Sequence, residues 1–505
     1  MATASAGKTT APAYARLREG VLTVPDVVFT SVATQAPGAA VALNFFFAIL
    51  FAGSGFPLAM LVALIATLFL ANTLSQFSKH LSSSAGFGVY ASRGLGPKAG
   101  FFTSWCALFY GYLFPAEVVV LISQVLSTLI DPVLHVAIPW QVFDVVFIAI
   151  IWYFAYTGVK RSARVSIITG SIEVTIFVIL GILLVARAGA HNTLVVFTPT
   201  TGVFGLAWGL IYGFLSFTGF ESVASLAEET KDPKRNVGRS AFFALLGVGI
   251  FYVFLAYAGV VGWGLNTLTG IGPAYFANNT FAYGVLASHI WAPFQWIILL
   301  AIVNSVIACS LSALNFAARY FYSLGRLRLL PAAFGRVHER HGTPTFSVNA
   351  MTLITVALSL GLGTWWGPTI AFGFLATAFT YGWILMFGMA NLALPFFYKK
   401  EHPEDFNALW HIVLPLVGSL ALIPALVAPL LPLLPQFSAA GPVAWQLVAT
   451  VPLTVVWAVI GVVMAGRVGR TRAEDMARMS EDHDPGWLAL PETAAAPASG
   501  PSRRH

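Results

Sequence analysis

Five acidic side chains, Asp26, Glu117, Asp144, Glu173 and Glu221, stand inside stretches of sequence that are otherwise apolar. At the centre of a lipid bilayer an ionised carboxylate costs about 3 kcal/mol or more, so such residues are functional candidates by default. Burial disfavours the charged form of a carboxyl, which suits it to take up and release a proton near neutral pH. Glu173 lies about ten residues into its apolar run, near mid-depth at about 1.5 Å per residue. It can carry a proton, help bind a cation, or serve as a neutral hydrogen-bonded structural group. Glu117 follows Pro115 and either faces the cationic group of a substrate or packs internally. Glu221 follows a Thr-Gly break and either couples protonation to gating or caps the half-helix behind it. Asp26 and Asp144 sit nearer the ends of their runs, within reach of water.

A second group with chemistry is hydroxyl and thiol. Ser305, Cys309 and Ser312 are spaced by four and three residues, so they share one helix face. That face either binds a sodium ion or bonds to its own helix backbone. Proton coupling is favoured over sodium, because carboxylates are buried and no clear sodium pattern is present. Enzyme chemistry is not indicated: there is no HExxH, no histidine at mid-depth and no cysteine cluster. The two cysteines, Cys106 and Cys309, lie in separate apolar runs and read as packing residues. No metal and no organic cofactor is expected.

The elements that must position these groups are membrane helices. Of 505 residues, 58% are hydrophobic and only 9% charged, against about 25% charged in soluble domains. Apolar runs of roughly 20 residues recur, each long enough to cross a hydrocarbon core about 30 Å thick. Twelve spans are expected near 24–51, 55–78, 99–128, 140–158, 163–186, 203–228, 239–263, 292–324, 346–364, 369–397, 409–433 and 443–466. With the N-terminus cytoplasmic, only Arg187 among 27 Lys and Arg falls on the outer side. The net charge of +7 therefore reflects topology, not a nucleic-acid surface. Residues 1–20 read as a cytoplasmic tail without a cleavable signal, and 467–505 as a disordered cytoplasmic tail. The connection from Gly264 to Trp291 is expected to form a short helix over the mouth.

Two spans carry helix breakers at mid-depth. Span one contains Thr34-Gln35-Ala36-Pro37-Gly38-Ala39, and span six contains Ser216-Phe217-Thr218-Gly219. Carriers commonly build a midplane site from two helices broken at equivalent places in inverted repeats. If spans one to five and six to ten are such repeats, these breaks are equivalent. The half-helix after a break offers free amides and a positive dipole end, which suit a carboxylate. The amides of Gly38, Ala39 and Ala40 are the candidates, with Ser31 to Ala33 and Phe214 to Phe217 supplying carbonyls for an ammonium group. Phe217 or Phe220 either gates the site or packs in the core. No repeated filter segment suggests a channel.

Local strings then show a resemblance. SFTGFESVASLAEETKDPKRNVGRS from Ser216, AARYFYSLGRLRLLPAAFGRVHERHGTPTFSV from Ala317 and SSSAGFGVYASRGLGPKAGFF from Ser82 resemble the amino acid–polyamine–organocation superfamily, in its bacterial amino-acid permease type. The resemblance runs from about Gly20 to about Arg470. It implies an all-α polytopic protein of the inner membrane with the leucine-transporter fold. That fold is a ten-helix 5+5 inverted repeat, here 21–400, with helices one and six interrupted and two further helices in 401–466. It implies alternating access with an amino acid as substrate, and the buried carboxylates favour import with a proton. An amine or polyamine carrier and an exchanger without ion coupling stay open. GVKRSARVSIITGSIEVTIF resembles the family's entry to helix five, where some proton-coupled members carry a lysine at the place of Glu173. Span one departs from the family's Gly-Ser-Gly pattern, and Gln35 adds a side chain able to reach substrate or span six.

Overall fold

The computed structural model describes residues 22–81, 86–157, 162–265, 282–292, 296–338, 341–433 and 445–480. Among them the chain is helical almost throughout, and the sole bridge pairs Leu22 with Thr230. Helices follow from the sequence because a backbone in lipid must satisfy its polar groups within the segment. Eleven stretches are long and apolar enough to cross a membrane. The first, Val24–Ser78, is 55 residues long. At about 1.5 Å per residue it is more than twice the depth of a bilayer core. It turns at Gly53–Gly55, where Gly53 has φ +56°, so expected spans one and two meet there.

The remaining stretches match the expected spans within a few residues. Span three is Pro97–Leu134, span five Ser162–Ala188, span seven Pro233–Trp263, span eight Trp296–Arg326 and span ten Pro368–Glu401. Spans three, six and ten are mostly buried, whereas four, five, nine and twelve turn most of their residues outward. Span seven is mostly buried too, and the buried spans surround the break in span one. The expected helix in the long connection spans Ala282–Trp291, and residues 266–281 lie outside the described part.

One expectation changes. Residues 467–480, read as part of a disordered tail, are helical: span twelve continues to Thr471, and Ala473–Ala477 forms a further turn. Met476 and Met479 are buried, and Ser480 meets Ser92 at 2.6 Å between hydroxyls. Beside it Arg93 Nε donates to both oxygens of Glu401 at 3.1 Å. The physical reason is two methionines three residues apart, which give this polar segment one apolar side. Residues 481–505 lie outside the described part.

Candidate substrate site

Span one stops at Gln35 because proline follows two residues later. The ring of Pro37 disfavours helix in the residue before it, and Ala36 takes a left-handed conformation, φ +49°. That conformation costs an L-residue roughly 1–2 kcal/mol. Pro37 then opens the next helical turn, where its missing N–H is no loss. A π turn, Ala40–Asn44, joins this turn to Phe45–Ala52.

Span six is Gly202–Phe217, followed by extended Thr218, Gly219 at φ +106°, and a 3₁₀ segment Phe220–Glu229. The two breaks touch. A Cβ on Gly219 would sit 2.9 Å from the backbone carbonyl of Thr34. Gly219→Ala therefore combines a left-handed strain with a backbone clash. It should destabilise the protein by about 1–3 kcal/mol, read as a lower unfolding temperature in detergent; an unchanged temperature would contradict this packing.

The amides expected to receive a substrate carboxylate are occupied. Gly38 N donates to Glu173 Oε1 at 2.5 Å, and Ala39 N donates to Ser305 Oγ at 3.0 Å. Ala40 N closes a helical bond to Ala36 O at 2.9 Å. Asn304 Nδ2 donates to the other oxygen of Glu173 at 3.2 Å. Glu173 comes so close that a Cβ on residue 38 would lie 2.9 Å from its Oε1, so a larger residue there would push the carboxylate off the amide. The dipole end of the half-helix thus holds an internal carboxylate from span five. Several carbonyls at the break are engaged as well: Ser31 O accepts from Gln35 Nε2 at 3.4 Å, Ala33 O from Ala36 N at 3.3 Å, Gln35 O from Tyr252 Oη at 2.8 Å and Thr34 O from Cys309 Sγ at 3.4 Å. In span six, Thr218 N donates to Phe214 O at 3.1 Å.

Glu221 lies at the span-six break. Gly219 N donates to its two oxygens at 3.1 and 3.0 Å, and Tyr110 Oη donates to Oε1 at 2.5 Å. It caps the second half of the helix and fastens it to span three. Asp26 likewise caps span one, accepting from Thr23 N at 2.9 Å. Asp144 accepts from Ser359 Oγ at 2.7 Å.

A small cavity of about 20 Å³ lies between the span-one break and spans three, six and eight. That volume holds about one water molecule. Of the residues expected at the site, Gln35, Ala36, Ala39, Thr218, Cys309 and Glu117 line it. Glu117 is 1% exposed, and its Oε2 has no hydrogen-bond partner among the described residues. Gln35 bonds Ser31 through Nε2 at 3.4 Å, so it does not reach span six, and its Oε1 also lacks a partner. Thr34, Pro37, Gly38, Phe214, Ser216, Phe217, Gly219 and Phe220 do not line it. Phe217 packs edge-on to Tyr252, and Phe220 stacks on Phe387. Ser312 is half-buried and lines neither this cavity nor the next.

A second cavity of about 380 Å³ runs along the other side of the break, flanked by Pro37, Glu173, Asn304 and Ser305, with exposed Phe29 and Phe243 at its margin. Three partners here were not anticipated from sequence: Asn304, Tyr110 and Tyr252. Asn304 is a polar residue directly before Ser305 in an apolar run, and Tyr110 lies two helical turns before Glu117. Those were the available signals.

The chain matches the amino acid permease family over residues 27–472. It is similar to the low-affinity putrescine importer PlaP of Escherichia coli K12, 27% identical over 337 residues, which cover 64% of this chain and 71% of the importer. It is also similar to the branched-chain amino acid permease BcaP of Bacillus subtilis, 26% identical over 314 residues, 58% of this chain and 64% of the permease. With the histidine permease HisP of Lactococcus lactis it shares 23% identity over 306 residues, 57% of this chain and 61% of that protein. Membrane-spanning helices, two opposed helix breaks and a family match over most of the length converge: the chain belongs to the amino acid permease family and is a transporter, not an enzyme.

Proposed function

We propose that this chain is a secondary carrier that brings a small organic amine across the membrane by alternating access, with Glu117 as counter-ion and Glu173 as the proton-carrying group. The observation that carries the substrate class is the bare Oε2 of Glu117 in the central cavity. A carboxylate buried without a partner is costly, and an ammonium group would remove that cost. The amides that would hold a substrate carboxylate are engaged by Glu173 and Ser305. The similarity to PlaP, a putrescine importer, supports the same reading. The cavity must widen to admit even a small diamine, and the touching breaks of spans one and six are the parts that can part.

The finer architecture belongs to this proposal: twelve spans, with Val24–Ser78 crossing twice, a 5+5 repeat, and both ends cytoplasmic in the inner membrane. So does coupling. The 380 Å³ cavity beside Glu173 gives a proton a route to a carboxyl that is itself buried. Amino-acid transport is the second reading, favoured by the similarity to the branched-chain amino acid permease BcaP and the histidine permease HisP.

A thermal-shift panel on the purified protein separates the two. Amino acids are tested beside their decarboxylated amines. A ligand at 100 times its dissociation constant stabilises by about 2.7 kcal/mol. Amines and diamines are expected to raise the unfolding temperature and the parent amino acids are not. Stabilisation by amino acids alone would replace the amine reading with the amino-acid one.

A further inference from the structure

Away from the central site, three side chains of ligand type converge at the end of the bundle where spans two and ten both finish. His80 follows span two, and His402 and Asp405 follow span ten. Their ligand atoms all lie within 4.8 Å of one another. His80 Nε2 is 3.8 Å from Asp405 Oδ2, and His402 Nδ1 is 3.6 Å from Glu404 Oε1. The two imidazoles stack with centroids 3.6 Å apart and planes inclined by 20°. Two imidazolium rings at that separation would repel each other. Neutral rings do not, and a neutral imidazole offers a lone pair to a metal; because that lone pair lies in the ring plane, one ring has to turn out of the stack before both can reach the same ion.

We propose that His80, His402 and Asp405 form a site for a divalent transition metal, with Zn²⁺ the best fit, whose binding ties the end of span two to the segment after span ten. Two imidazoles and a carboxylate are ligands that zinc takes in tetrahedral sites, with water in the remaining position. Metal–ligand bonds of about 2.0–2.1 Å place such ligands about 3.3 Å apart. The widest gap here thus has to close by roughly 1.5 Å, through rotation of an imidazole and of the exposed Asp405 side chain at the end of the turn Pro403–Asp405. Glu404 beside His402 Nδ1 matches the carboxylate–histidine arrangement that orients a metal-bound imidazole. The ion enters from solvent, since the His80 and Asp405 side chains are 20% and 60% exposed. Without it, Tyr398 Oη donating to Gln76 O at 2.9 Å links the same two spans. A coordinated ion adds a stronger link there and slows any opening of that end. This last effect rests on the alternating-access reading; the site itself does not.

The test uses the full chain in detergent. Co²⁺ is titrated as a visible-band probe, then displaced by Zn²⁺. One Co²⁺ per chain is expected. His80→Ala and His402→Ala should each weaken binding at least about tenfold, the least that losing even an outer partner of a metal costs. Elution profile and unfolding temperature report whether each variant has folded, and Asp405→Asn, at an exposed position, decides if either histidine variant has not. Unchanged metal affinity in the folded variants overturns the site. In vesicles, Zn²⁺ should reduce amine uptake by the parent protein and leave His80→Ala unaffected. Zn²⁺ bound at the site with uptake unchanged overturns the tie. Absence of any uptake, with metal binding intact, counts against the transport reading and not against the site.

Discussion

Glu117→Gln should weaken binding of an alkyl diamine by about a hundredfold to a thousandfold. Removing one partner of a buried charge pair costs about 3–5 kcal/mol, and each 1.4 kcal/mol is about tenfold in affinity. Glutamine has the same shape, so the cavity keeps its packing and the variant should fold. Equilibrium binding of a labelled diamine to purified protein reads the effect. If the parent protein binds the diamine and the variant does so within about threefold, the carboxylate is not the counter-ion. Glu117→Ala is less informative, because it enlarges the cavity as well as removing the charge.

The second large effect concerns Glu173. With an inward proton gradient of about one pH unit, each coupled proton supplies about 1.4 kcal/mol, enough for roughly tenfold accumulation. Glu173→Gln should reduce accumulation to equilibrium while leaving counterflow exchange intact. A glutamine oxygen still accepts from the Gly38 amide, so the span-one break stays in place while the titrating group is gone. Loaded vesicles with an imposed pH gradient make the measurement. Accumulation that persists unchanged in the variant removes Glu173 from the coupling step. Loss of exchange together with accumulation assigns it a structural role instead, as the lid on the half-helix.

The spans were legible because a bilayer imposes one-dimensional rules: length, apolarity and a backbone closed on itself. The two breaks were legible for a local reason too, since Pro37 and Gly219 act on their own neighbours. What occupies the break was not. Whether the amide of Gly38 faces a substrate or Glu173 depends on how spans one, five and eight are rotated about their axes, and hydropathy is nearly blind to rotation when every face is apolar. The same holds for Ser305. Its helix face suggested a sodium site or a bond to its own helix, and its hydroxyl oxygen instead accepts from the amide of Ala39. Glu221 illustrates a milder case: its two readings, cap or gate, were both open from sequence, and its bonds to Gly219 and Tyr110 make it a cap that also ties span six to span three. The meeting of His80 with His402 joins residues more than three hundred positions apart, and no local pattern announces it.

The π turn at Ala40–Asn44 takes up one more residue than an α-helical turn would. The inner and outer halves of span one therefore keep independent helical phases. A residue gained or lost within that turn would be absorbed there by a shift between π and α winding, leaving Phe45–Ala52 facing the same neighbours. A residue inserted or removed at the break would in this way reshape the cavity's lining without re-registering Phe45–Ala52.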